Sequence, residues 1–369
     1  MEKMYVNHLP CITWKWLKMN GVESSDLPVS ASRITADVPS GWTVSDDTAA
    51  QGSDIAANSN AEIEKALFAD KIVTGLGPDM DRLIKEADVP VLRLTASADE
   101  PLVIENIYKD GDSKLSAVEI TIPDGVDAVV TEKFISEDVC SDGNAVCGFQ
   151  TRLIIGKNAS VKLDQVQKLA KNVVFYNDIG TFNAENGRFE LVEVILAGGS
   201  TYFGSRSNLA GRESSLDIEM AYLVKGKEAL DSNIAAFQRG KRTDAQIRVN
   251  GVLKDEAKKL TKATIDFKTG STDSVGSETE DVLMMSDNVV NRTVPLILCT
   301  EESVEGVHGA TLGRPSEEIM TYMMSRGLDK NQIYDIMEKA RLDAAAAKIH
   351  DEQTRREIAE YLHPGEETE

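Results

Sequence analysis

From Val89 to Cys299 the chain is built from short apolar runs in which hydrophobic side chains fall at every second position, with polar turns between them. Ser160–Gln167 reads Ser-Val-Lys-Leu-Asp-Gln-Val-Gln, and Arg188–Leu196 reads Arg-Phe-Glu-Leu-Val-Glu-Val-Ile-Leu. That period belongs to a strand with one buried side. It predicts strands at Val91–Leu94, Leu102–Ile107, Ala117–Ile122, Ala128–Phe134, Arg152–Ile155, Ser160–Val166, Phe189–Leu196, Leu216–Leu223, Asp244–Val252, Ala263–Phe267, Val282–Met285 and Val294–Cys299. Turns at Gly156–Ala159, Ala184–Gly187, Ala210–Glu213 and Arg239–Arg242 recur at roughly 24–29 residues, and strands alone at such a spacing indicate stacked coils. The long even series of strands favours a parallel β-helix over a sandwich of hairpins. Val161, Leu163, Phe189, Leu191, Leu216 and Ile218 are its predicted interior.

The flanks differ. Residues 1–90 form a mixed N-terminal region with helix signals at Leu9–Gly21, Ala61–Asp70 and Asp79–Ala87, and a loop composition over Gly41–Asn60. Residues 91–313 are the solenoid core, and 314–369 a C-terminal helical domain. Ser316 caps its first helix, with Glu317 and Glu318 in the opening turn and Gly327 as the stop. Asp329 and Gln332 make a capping box for the second, which is predicted to bury Ile333, Ile336, Met337, Ala340, Ala344 and Ala347 on one face. A third runs from about Asp351 to Leu362. Fewer than about 50 helical residues make a small core, so part of this apolar surface must lie against the solenoid or a partner. Ile333, Ile336, Met337 and Ala340 are the expected partner-binding positions.

A formal charge of −21 disfavours DNA and anionic membranes as partners. The densest basic runs, Gln238–Arg242 and Lys254–Lys262, read as solvated faces. No stretch approaches the roughly 20 apolar residues of a membrane span, and the N-terminus lacks the order of a signal peptide. A cytosolic location is the expectation, and the scattered Cys11, Cys140, Cys147 and Cys299 fit a reducing compartment.

Hydrolase, zinc-protease, EF-hand, P-loop and Cys-x-x-Cys motifs are absent. Cys140 and Cys147 bracket a turn, either as soft ligands for iron or as small residues on strand ends. Cys299 ends an apolar run, as an inert buried thiol or a weak metal ligand. His308, between the last predicted strand and the helical tail, is either a metal ligand or a residue satisfying backbone groups at a junction.

Residues 293–328 resemble the C-terminal part of the SufB/SufD family. The resemblance rests on Thr293-Val294-Pro295, an acidic turn at Glu301–Glu305, His308-Gly309-Ala310-Thr311-Leu312-Gly313 and Met324-Ser325-Arg326-Gly327-Leu328. It implies a right-handed parallel β-helix with a C-terminal helical domain, non-enzymatic, serving iron–sulfur cluster assembly. It further implies pairing with a SufB-like chain or a second copy, and docking of the ABC-type ATPase SufC on the C-terminal helices. The family's histidine at this motif is implicated in the cluster site between subunits. That role falls on His308, with a transient cluster or iron at the interface and none held stably by the chain alone. Gly309 after the histidine, and no cysteine over Asp287–Arg292, make the chain SufD-like. One departure is Ser277–Ser286, where the family's Gln-rich stretch is replaced by Ser-Glu-Thr-Glu-Asp. The competing readings are a carbohydrate-active solenoid enzyme and a purely structural solenoid.

Overall fold

A computed structural model describes residues 4–11, 15–24, 30–45, 72–109, 111–136 and 145–365. Four short strands come first: β1 (Met4–Val6), β2 (Val22–Ser24), β3 (Ser30–Ala31) and β4 (Trp42–Ser45). The repeat then runs as strands laid alternately into two parallel sheets. One holds β5 (Val91–Ala96), β7 (Ser113–Ile122), β9 (Ala145–Ile155), β11 (Val173–Asn183), β13 (Ser200–Leu209), β15 (Ala229–Gln238), β17 (Lys258–Phe267) and β19 (Val290–Cys299). The other holds β6 (Leu102–Tyr108), β8 (Asp127–Ser136), β10 (Ser160–Lys168), β12 (Arg188–Ala197), β14 (Ser215–Val224), β16 (Asp244–Leu253), β18 (Ser274–Met284) and β20 (Val304–Gly313). Each strand pairs in register with the strand two ahead, so the architecture is a mainly β parallel solenoid. The coil length varies little: Val174 pairs with Ser200 and Lys258 with Val290, 26 and 32 residues on.

Alternation sends one side of every strand inward. Val161, Leu163, Phe189, Leu191, Leu216 and Ile218 all lie in the central core, as the period predicts. The corners explain why the coils stack in register. Asn158, Asn186, Glu213 and Arg242 each take a positive φ, and each donates its amide to the next coil, to Glu185, Arg212, Lys241 and Thr272 at 2.8–2.9 Å. Asparagine tolerates that backbone well, whereas Glu213 and Arg242 adopt it at a cost the ladder bond offsets.

β11, β13, β15 and β20 are not in the sequence-predicted set. The first three are polar on both sides, because their outer face is covered. The segment at 72–77 crosses it, with the Gly75 amide donating to the Ile179 carbonyl (3.0 Å) and the Leu76 amide to Asp178 (2.7 Å). A Cβ on Gly75 or Gly204 would strike the other's backbone at 2.1–2.4 Å, so the crossing requires glycine at both. The predicted helix over Leu9–Gly21 shrinks to one 3-10 turn at Lys15–Leu17 among the described residues, and Trp42–Ser45 is strand instead of loop. Helix α1 (Pro78–Glu86) matches its expectation, while Ala61–Asp70 lies outside the described residues.

Three C-terminal helices follow: α2 (Glu317–Ser325), α3 (Lys330–Ala346) and α4 (Glu352–Leu362). Ser316 and the Asp329–Gln332 box cap as the sequence indicates. α3 and α4 share a core with the outer face of the second sheet, where Leu342, Ala345, Ile349 and Ile358 meet Val194, Leu223 and Val252. Polar and charged side chains rim the patch: Lys348 is ion-paired with Glu219 (2.6 Å) and Lys254 with Glu338 (2.7 Å), and His350 is hydrogen-bonded to the buried Asp164 (3.0 Å).

Candidate functional site: the open end of the solenoid

β19 and β20 are the last strands of their sheets, and nothing among the described residues pairs with their far edges. Nearly every residue of β20 is exposed, Val307 and Leu312 included. His308 is therefore mid-strand, not at a junction. Its register partner is Glu278, which follows Ile247 and Ile218 in one inward-facing column. The core column thus ends on an exposed imidazole.

Beneath it the interior is charged. Lys259, 2% exposed, is ion-paired with Glu280 and also donates to Asn291 Oδ1 (3.0 Å) and Thr293 Oγ1 (3.1 Å). Burial lowers the Lys259 pKa, against the pull of Glu280. Burial, and then the charge of Glu280, raises Glu278 to about 8, against the opposing charge of Lys259. Sequence reading missed this set. Lys254–Lys262 reads as a solvated run, yet Lys259 and Lys262 are both buried and paired, Lys262 with Asp231 at 2.6 Å. The available signal was the alternation of Ser277-Glu278-Thr279-Glu280, which puts both glutamates on one side of a strand.

Cys299 is exposed at the rim, with its thiol on the Glu301 carbonyl at 2.8 Å, so the buried-thiol reading does not describe it. Cys147 lies fully in the core, and burial pushes its thiol up to about 12, the behaviour of an inert packing residue. Cys140 lies outside the described residues. Among the described residues no three His, Cys, Asp or Glu side chains cluster closely enough to hold a metal ion, so His308 and Cys299 are not brought into such a centre.

The helical tail offers a second surface. On α3, Ile333 is fully buried and Met337 half-buried, while Ile336, 45% exposed, and Ala340 face solvent. The buried face is Ile333, Leu342, Ala345 and Ala346, which corrects the predicted one. α2 buries none of its residues, and Ile319, Tyr322 and Met324 stand exposed.

Residues 107–341 match the family model described as SUF system FeS cluster assembly, SufBD core domain. The chain belongs to the SufB/SufD family. Similar relatives include the iron-sulfur cluster assembly protein SufD of Bacillus subtilis, 25% identical over 234 residues, or 63% of this chain and 53% of that one. Iron-sulfur cluster assembly SufBD family proteins of Staphylococcus epidermidis and Staphylococcus haemolyticus are each 23% identical over 186 residues, 50% of this chain and 40% of theirs. The chain spans about half the length of the curated relatives it matches. The matched region covers the solenoid from β7 together with α2 and most of α3. Among the described residues no helix is long and apolar enough to cross a membrane.

Proposed function

We propose that this chain is a SufD-like, non-catalytic scaffold of a cytosolic iron–sulfur cluster assembly complex. It pairs end to end with a SufB-like chain or a second copy, and it docks an ABC-type ATPase on its C-terminal helices. The observation that carries the reading is the open end: two parallel edges unpaired among the described residues, exposed apolar Val307 and Leu312, and His308 at the head of an inward column. Unpaired edges are a template for further strands, and a second solenoid end supplies them. The cluster is cargo at that junction. One imidazole cannot hold it, so His308 contributes one ligand and the partner the others, most naturally thiolates. Ile319, Tyr322, Met324 and Ile336 form the ATPase contact, as helix-in-groove anchors. Affinity capture of the tagged full chain from its native cytosol tests the assembly. The expected co-purifying proteins are a SufB-like chain, or untagged copies of this one, and an ATPase. Capture of neither overturns the reading.

A further inference from the structure

The penultimate coil carries two inward acids, Glu278 and Glu280, on β18. Glu280 is satisfied on one oxygen by Lys259, whose three hydrogens are spent on Glu280, Asn291 and Thr293. Glu278 is left over. It is 2% exposed and its Oε2 has no partner among the described residues, a condition that in a native structure calls for a donor. The next rung of its column, about 4.8 Å away along the ladder, is His308, in register with it and exposed. β20 is the last strand of its sheet and its residues are exposed, which leaves the ring space to turn inward.

We propose that Glu278 is the positioning residue for His308: the imidazole turns its inward N–H onto Glu278 Oε2, which fixes one tautomer and leaves the outward nitrogen with its lone pair facing the partner. A carboxylate behind a ligating histidine orients the ring and raises its basicity. The inference rests on the reading of His308 as an interface ligand, but its geometry belongs to the free chain and is tested there.

The full chain, labelled with ¹⁵N-histidine, is examined by two-bond proton–nitrogen correlation at about pH 9, where an ordinary imidazole is neutral and the Glu278 carboxyl, raised to about 8, is mostly ionised. The His308 signals are assigned by their loss in His308→Gln. Wild type is expected to show one protonated and one lone-pair nitrogen, a preference of about tenfold for a hydrogen bond to a charged group. Glu278→Met, which removes the acceptor at similar volume, should bring the two nitrogens to near parity. If Glu278→Met does not fold, Glu278→Asp, which withdraws the carboxylate by one methylene, should do the same. An unchanged His308 spectrum in whichever variant folds overturns the proposal. The two readings fail separately. Loss of the tautomer preference with cluster content unaffected by His308→Ala sinks the ligand role and leaves the positioning intact. The converse sinks the positioning alone.

Discussion

At the residue scale, the buried charges near the open end dominate the account. Lys259 neutralises one of two inward glutamates, so Lys259→Met strands both in the interior. Removing one partner of a buried ion pair costs about 3–5 kcal/mol, to be read from urea denaturation. The cysteines give a sharper contrast. Exposed Cys299 should alkylate readily in the native chain, while Cys147, its thiol held up by burial, reacts only after unfolding. Mass spectrometry of the labelled peptides separates them, and equal native rates would contradict the placement of Cys147. Much of this was hidden from the sequence for a physical reason. Lys262 looks solvated until Asp231 is found beside it, together with Asn7, whose amide reaches Asp231 Oδ1 at 2.6 Å across 224 residues of chain. No local pattern encodes such a contact.

At the scale of elements, legibility followed burial on one face. Strands such as β10, β12 and β14, apolar inward and polar or helix-covered outward, stood out by period. β11, β13 and β15 did not, because Asn177 and Ser205 face inward while Asp178 and Asn233 serve the N-terminal crossing. The helices were legible in their caps but not in their facing. The run of alanines in α3 supports two apolar stripes, and contact with the sheet selects the one through Leu342, Ala345 and Ala346. Leu342→Ala should therefore destabilise by about 2–5 kcal/mol, whereas Tyr322→Asp on α2 should change stability by no more than about 0.5 kcal/mol. Thermal melts distinguish the two. For the proposed ATPase dock the expected order reverses, with Tyr322→Asp weakening capture of the ATPase and Leu342→Ala sparing it wherever the chain stays folded.

At the scale of the whole molecule, the interior acids set a pH dependence. Burial raises Glu132 to about 7 despite hydrogen bonds from Gln165 and Thr151. It raises Asp178 to about 7 despite bonds from Leu76, Gln150 and Thr74. Between the ordinary carboxylate range and pH 7 the folded chain holds protons that the unfolded chain has released. Stability from these groups is thus full below about pH 4 and is lost progressively as pH rises from about 4 to 7, by about 1.4 kcal/mol per pH unit for each. Denaturation midpoints at pH 5 and pH 8 check the sign, and a higher midpoint at pH 8 would contradict it. Other carboxylates held by ion pairs oppose the trend at the acid end, so the comparison belongs above pH 5.

The central claim is that the open end is the junction at which a cluster is built, with His308 among its ligands. It is tested most directly by the iron and sulfide content of the purified assembly carrying His308→Ala, compared with wild type at equal complex yield. The expected result is an intact assembly with cluster content reduced about tenfold or more, because one ligand to the cargo is gone. An intact assembly with undiminished cluster content would contradict it.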